Sequence, residues 1–136
     1  MKPKELVALA MQARENSYCP YSGFAVGAAL ECADGTVYTG CNIENAAFGP
    51  SICAERTAVF KAISEGQREF RALAVVGGKA NAPICHECPP CGVCRQVLRE
   101  FCDDEFPVHL SDGKNVRTLR LADLLPESFR AEGQLT

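Results

Sequence analysis

The sequence lacks long apolar runs, and it lacks any excess of basic residues. No segment approaches the roughly 20 consecutive apolar residues that a membrane-spanning helix requires, so no membrane span is expected. Charged residues interrupt the N-terminal stretch every few positions, a pattern that does not fit a secretory signal peptide. The net charge is −3, so the chain offers no basic surface for nucleic acid or an anionic membrane. A small soluble molecule is the expected partner.

Internal repeats, low-complexity tracts and linkers are also absent from the sequence. Its 136 residues, 47 % of them hydrophobic and 23 % charged, predict a single domain over residues 1–136. The nine cysteines are a high and odd number. Because the sequence carries no export signal, we expect a cytoplasmic protein without a disulfide framework. The cysteines are then core residues, metal ligands or reactive thiols.

Hydrophobic periodicity predicts helices that alternate with strands. Helices are predicted over 4–15, after Ser51 as N-cap, over 91–102 and near 121–125. Strands are predicted over 24–31, 36–41 and 71–77, and for the segments PVHLS and VRTLR, whose short join makes them antiparallel. This order predicts an α/β fold, a three-layer sandwich in which a mixed five-stranded sheet has helices on both faces. Phe60 is predicted to lie in the core, and His109 on the outer face of its strand.

Two short motifs stand at the predicted starts of helices that follow strands. Cys53-Ala54-Glu55 opens one helix, and Pro90-Cys91-Gly92-Val93-Cys94 opens another. Helix N-termini stabilise thiolates, so three thiolates can converge at one edge of the sheet. Three protein ligands leave the fourth tetrahedral position on zinc to water, and Glu55 can exchange protons with that water. The order Cys-x-Glu, then Pro-Cys-x-x-Cys, matches the known signature of zinc deaminases.

The sequence resembles the cytidine deaminase family over nearly its whole length. The segments that carry the resemblance, in the family's order and spacing, are YCPYSGFAVGAAL, GCNIENAAFG, CAERTAVFKAISEG, PCGVCRQVL and LLPESF. The resemblance implies zinc-dependent hydrolytic deamination of free cytidine and deoxycytidine to uridine and deoxyuridine in pyrimidine salvage. It also implies one Zn²⁺ per chain and a homotetramer whose active sites are completed by neighbouring subunits.

The resemblance implies a role for each residue around the metal. Cys53, Cys91 and Cys94 match the family's zinc ligands, and Glu55 matches its proton shuttle. Arg56 resembles the family's arginine that donates hydrogen bonds to the ligand thiolates. Such a cation would offset the negative charge that three thiolates place on the site.

The resemblance also implies the residues that hold the substrate. Asn42 and Glu44 match the family's contacts to the sugar hydroxyls, and Phe24 matches a residue that lines the pocket. The backbone of Ala54 would meet the base carbonyl. Phe129 resembles the family's C-terminal aromatic residue, which stacks on the base in a neighbouring subunit's site.

The loop before Pro90 departs from the family's usual pattern and leaves other functions open. Cys85 and Cys88 could join Cys91 and Cys94 in a closed four-cysteine metal site or an iron–sulfur module. That interpretation leaves the Cys53-Ala54-Glu55 motif unexplained. A thioredoxin-like redox pair would need Cys91 and Cys94 free of metal. Among deaminases, an enzyme for a nucleoside antibiotic such as blasticidin S is the alternative, and the roles of Cys85, His86 and Cys88 are not predicted.

Overall fold

The computed structural model describes residues 1–131; the last five residues, which the single-domain prediction includes, lie outside the described part. Helices and strands alternate through this range much as the periodicity predicts. The elements are α1 (Pro3–Arg14), β1 (Phe24–Cys32), β2 (Val37–Cys41), α2 (Ala54–Ser64), β3 (Phe70–Lys79), α3 (Gly92–Phe101), β4 (Pro107–Ser111), β5 (Val116–Arg120) and α4 (Leu121–Leu124).

The five strands form one mixed sheet in the order β2-β1-β3-β4-β5. The β3–β4 pair is parallel and the other three pairs are antiparallel, including the predicted β4–β5 pair. Because β2 and β3 are both antiparallel to β1, they run in the same direction and end at the same edge of the sheet. The helices α2 and α3 follow these two strands along the chain, so both begin at that edge.

Helices cover both faces of the sheet. On one face α1 packs its apolar stripe against small residues of the central strands; the buried residues of this layer are Leu6, Val7, Ala10, Ala29, Ala72, Ala74 and Val76. On the other face α2, α3 and α4 enclose the larger core, which includes Leu30, Val59, Leu73, Leu98, Val108 and Leu121. The predicted three-layer α/β sandwich with a mixed five-stranded sheet is confirmed.

Three local predictions are wrong. The N-cap of α2 is Cys53 and not Ser51, because Ile52 bridges to Ile43 and keeps the chain extended up to the cysteine. His109 is buried, because α1 also contacts β4; its Nδ1 lies 2.7 Å from the Thr118 hydroxyl. Phe60 is 46 % exposed, since it lies on the outward side of α2.

Candidate active site

Three cysteine thiols meet where α2 and α3 begin. Cys53 is the N-cap of α2, Cys91 is the N-cap of α3, and Cys94 lies in the first turn of α3. The Sγ atoms of Cys53 and Cys91 are 3.6 Å apart, and those of Cys91 and Cys94 are 3.4 Å apart. All three sulfur atoms lie within 4.8 Å of one another. The predicted convergence at one sheet edge is therefore present.

The spacing of the thiols fits a tetrahedral zinc ion. Zinc–sulfur bonds of about 2.3 Å in tetrahedral geometry place two thiolates about 3.8 Å apart. The measured separations of 3.4 and 3.6 Å are close to that value, and all three cysteines are free of disulfides. Three thiolates leave one of the four positions open, which is the arrangement of a catalytic rather than a structural zinc site.

Positive charge and hydrogen bonds favour the thiolate form at Cys53. A hydrogen bond with Cys94 and another from Arg56 lower the pKa of Cys53 to about 5, although burial opposes the shift. The Arg56 Nη2 donates to the Cys53 Sγ at 3.4 Å. The Nε of Arg56 is buried and, within residues 1–131, has no hydrogen-bond partner. A guanidinium held this way provides positive charge beside a site that carries several thiolates.

Glu55 lies in the first turn of α2, two residues after Cys53, and only 4 % of it is exposed. Burial, with a smaller contribution from the nearby Cys53, raises the pKa of Glu55 to about 7. A carboxyl group in such surroundings can both accept and return a proton near neutral pH. Gly40 of β2 permits this placement, because a Cβ there would lie 2.4 Å from the Ala54 carbonyl oxygen.

A cavity of about 490 Å³ opens in front of the thiols. This volume lies within the range of small-molecule sites. The cavity is lined by Ser22, Phe24, Val26, Asn42, Glu44, Phe48, Gly49, Ser51, Ile52, Cys53, Ala54, Glu55, Arg56, Cys88, Pro89 and Cys91. Metal-binding thiols and a buried carboxyl group therefore share one cavity with the amide and carboxylate of the Asn-Ile-Glu-Asn loop.

Asn42 and Glu44 are held in place by hydrogen bonds to the chain around Phe24. The Asn42 side chain donates to the Phe24 carbonyl at 2.8 Å and accepts from the Val26 amide at 2.9 Å. Glu44 accepts from the amide of Ser22 at 3.1 Å and also hydrogen-bonds the Ser22 hydroxyl, which lowers the pKa of Glu44. The loop and the start of β1 thus form one preorganised wall.

The structure brings most of the residues implied by the resemblance to this cavity. Phe24 and Ala54 line it, whereas Phe129 does not line the cavity of its own chain and is 57 % exposed. Sequence reasoning missed Ser22 and Phe48 in the wall. Both stand inside segments that carry the resemblance, but no local pattern identifies them, because they reach the cavity only through the folding of two loops.

The loop cysteines do not join the thiol cluster. Within residues 1–131, the group that could hold a metal consists of Cys53, Cys91 and Cys94. Cys85 is exposed and the Cys88 thiol lies over Gly77 of β3, and neither sulfur belongs to that group. The closed four-cysteine site and the iron–sulfur module are therefore not formed in the described part of the chain.

The fold and this site together define a zinc-dependent hydrolytic deaminase. Comparison with known proteins identifies the family. The family model described as the cytidine and deoxycytidylate deaminase zinc-binding region matches residues 1–110. A cytidine deaminase of Sporosarcina psychrophila is 50 % identical over 133 residues, which cover 97 % of this chain and 94 % of that protein.

Solved structures agree with the sequence comparison. The crystal structure of cytidine deaminase from Burkholderia pseudomallei is similar with a TM-score of 0.84 and 46 % identity, covering 95 % of this chain and all of that chain. A blasticidin-S deaminase of Bacillus cereus is more distant, at 29 % identity and 76 % coverage of each chain. The chain therefore belongs to the cytidine deaminase family, and the predicted zinc cofactor is confirmed.

Proposed function

We propose that this protein catalyses the hydrolytic deamination of free cytidine and deoxycytidine to uridine and deoxyuridine. One observation carries the proposal: a buried carboxyl group, Glu55, lies beside three metal-binding thiols in a cavity that also contains the Asn42 and Glu44 side chains. A zinc ion held by Cys53, Cys91 and Cys94 would supply a Lewis acid that makes water a better nucleophile.

Glu55 moves the protons of the reaction. Water adds to C4 of the base, and the C4 amino group leaves as ammonia. Glu55 takes a proton from the attacking water and gives it to N3; it then takes the proton of the new C4 hydroxyl and gives it to the departing amino group. Its burial and its position beside Cys53 support this role, because the carboxyl group is shielded from bulk solvent and fixed on a helix.

The remaining residues of the cavity orient the nucleoside. The backbone amide of Ala54 donates to the base carbonyl; its position as the first residue of α2 supports this role, because the first amides of a helix have no partner within the helix. Asn42 and Glu44 bind the sugar hydroxyls, and Phe24 packs against the nucleoside. Pro89 also lines the cavity and offers its backbone carbonyl to the amino group of the substrate.

The charges along the cavity favour a nucleoside over a nucleotide. Among the residues within 1–131 that line the cavity, Arg56 is the one basic residue, and its guanidinium is hydrogen-bonded to Cys53 at the metal end. The sugar end carries the Glu44 carboxylate, which would repel a phosphate. We therefore propose that cytidine is deaminated far faster than its 5′-monophosphate.

Assembly and location complete the proposal. Phe129 is 57 % exposed and lies away from the cavity of its own chain, which supports a homotetramer in which it closes a neighbouring subunit's site. We also propose one domain over residues 1–136, a cytoplasmic location, a place in pyrimidine salvage, and no nucleic-acid or membrane partner. No helix within residues 1–131 is long and apolar enough to cross a bilayer.

The test is direct. Purified zinc-loaded protein is incubated separately with cytidine, deoxycytidine, cytidine 5′-monophosphate and blasticidin S, and products are resolved by chromatography while released ammonia is measured. We expect one uridine and one ammonia for each cytidine consumed, and slow or no turnover of the nucleotide and the antibiotic. Preferential turnover of blasticidin S would instead identify an antibiotic deaminase.

A further inference from the structure

Gly77 of β3 lies directly behind the wall of the cavity. It pairs with Val26, which lines the cavity, but it is buried and does not line the cavity itself. A Cβ at position 77 would lie 2.7 Å from the Cys88 Sγ, 3.0 Å from the Cys88 Cβ and 3.1 Å from Cε2 of the Phe24 ring. The two side chains thus occupy the space that a side chain at position 77 would need.

Cys88 and Phe24 have the cavity on their other side. Both residues line it, and they come from separate parts of the chain, the loop before α3 and the start of β1. Carbon atoms pack best at about 3.5–4.0 Å, so an added methyl group would force both side chains away from β3. Because β3 lies on one side of these two side chains, they could move only toward the cavity. The displacement would therefore narrow the cavity.

We propose that Gly77 is a positioning residue for substrate binding. Because glycine has no side chain, Cys88 and Phe24 can pack close to β3, which leaves the cavity wide enough for the nucleoside. The proposal rests on the proposed function for its substrate. The proposal also assigns a role to Cys88, whose thiol occupies the space over Gly77 and forms part of the cavity wall. Pro89 follows Cys88 directly, so the position of Cys88 also fixes the position of the Pro89 carbonyl, which is proposed to contact the substrate.

Gly78 provides a matched control on the same strand. A Cβ at Gly78 points to the opposite face, where the nearest side-chain atoms would belong to Ile84 at 3.4 Å and Arg14 at 3.7 Å. These are ordinary contacts, and neither residue lines the cavity. Gly77→Ala and Gly78→Ala therefore each add one methyl group at adjacent positions. Only the methyl group at position 77 would contact residues that line the cavity.

The experiment compares KM and kcat for cytidine in the zinc-loaded variants. Gly77→Ala should raise KM about 10-fold or more while kcat changes less than about threefold, because overpacking displaces groups that hold the substrate. Gly78→Ala should leave both within about twofold of wild type. The double variant Gly77→Ala with Cys88→Ala, which removes the closest atom but leaves the contacts at 3.0 and 3.1 Å, should lower KM from that of Gly77→Ala toward that of Cys88→Ala alone.

A second measurement does not depend on turnover. The displaced Cys88 thiol should react faster with iodoacetamide in Gly77→Ala than in wild type or Gly78→Ala, with exposed Cys85 as the internal reference for peptide mass spectrometry. An unchanged KM and labelling rate in Gly77→Ala, equal effects at both glycines, or a double variant whose KM is no lower than that of Gly77→Ala would overturn the proposal. If Gly77→Ala does not fold, recovery of the fold and of KM in the double variant supports it, and no recovery overturns it. Wild-type protein that does not deaminate cytidine would refute the proposed function, and the labelling comparison would still decide the role of Gly77.

Discussion

Replacement of Glu55 by glutamine should abolish nearly all turnover while leaving the fold and the zinc site intact. Glutamine has the same shape, but its amide cannot accept a proton from water or return one to N3 and the leaving amino group. The other carboxylate lining the cavity, Glu44, cannot substitute, because it is fixed by hydrogen bonds to Ser22 and the Tyr21 amide. No second base of the described cavity lining can therefore take over.

The expected loss follows from the number of proton transfers that depend on Glu55. General acid–base catalysis by one group contributes about 10²–10⁴ in rate. Because Glu55 would serve several transfers, we expect a loss in kcat of about 10⁴ or more, which corresponds to roughly 5.5 kcal/mol of transition-state stabilisation. KM should change much less, since the proposed sugar contacts of Asn42 and Glu44 are untouched.

The assay pairs turnover with metal content. Initial rates with cytidine are measured for wild type, Glu55→Gln and the control Glu44→Gln, and zinc is quantified by atomic absorption in each. The control changes an equivalent carboxylate in the same cavity and should raise KM rather than lower kcat. A Glu55→Gln variant that keeps its zinc and a tenth of wild-type turnover would refute the assigned role.

Three further predictions concern the metal and the assembly. The double variant Cys85→Ser with Cys88→Ser should keep about one zinc per chain by atomic absorption, whereas Cys94→Ser should lose the zinc or bind it more weakly. The reason is that Cys94 belongs to the thiol cluster and Cys85 and Cys88 do not. Arg56→Ala should weaken zinc binding about 10-fold or more in a chelator competition, because it removes the guanidinium that donates to a ligand thiol; an unchanged affinity would count against that role. Phe129→Ala should lower kcat/KM without altering the thiol cluster, and sedimentation should find wild type as a homotetramer; a fully active monomer would exclude shared sites.

The sequence predicts the sheet and the thiol cluster well because their determinants are local. The motif cysteines stand where an extended segment meets a helix-forming run, so the sequence places them at helix starts, although which residue caps α2 depends on the bridge between Ile52 and Ile43. Cys53 and Cys91 both have this setting, and Cys94 follows in the first turn of its helix. Once β2 and β3 are known to flank β1, their common direction brings the two helix starts together.

Long-range packing explains what the sequence does not predict. His109 follows the alternation of an exposed strand face, yet it is buried because α1, about a hundred residues earlier in the chain, covers that face. The same applies to Gly77, which the sequence shows only as a glycine within a strand. Its packing depends on the loop of residues 80–91, which places Cys88 over it. Neither contact leaves a periodic or motif-like trace in the sequence.

The run from Cys85 to Cys94 shows why cysteine spacing alone does not define a metal site. Its four thiols are evenly spaced in sequence, but only the two belonging to the helix start are placed with a third thiol from α2. The free amides at a helix N-terminus favour a thiolate there. Cys88, three residues before the N-cap Cys91, is instead half-buried, and its thiol lies over Gly77 of β3. Whether a cysteine of this run is a candidate ligand or a packing residue therefore depends on whether it belongs to the start of α3. A zinc ion held by Cys53, Cys91 and Cys94 alone would have a fourth position open to water, as the role proposed for Glu55 requires.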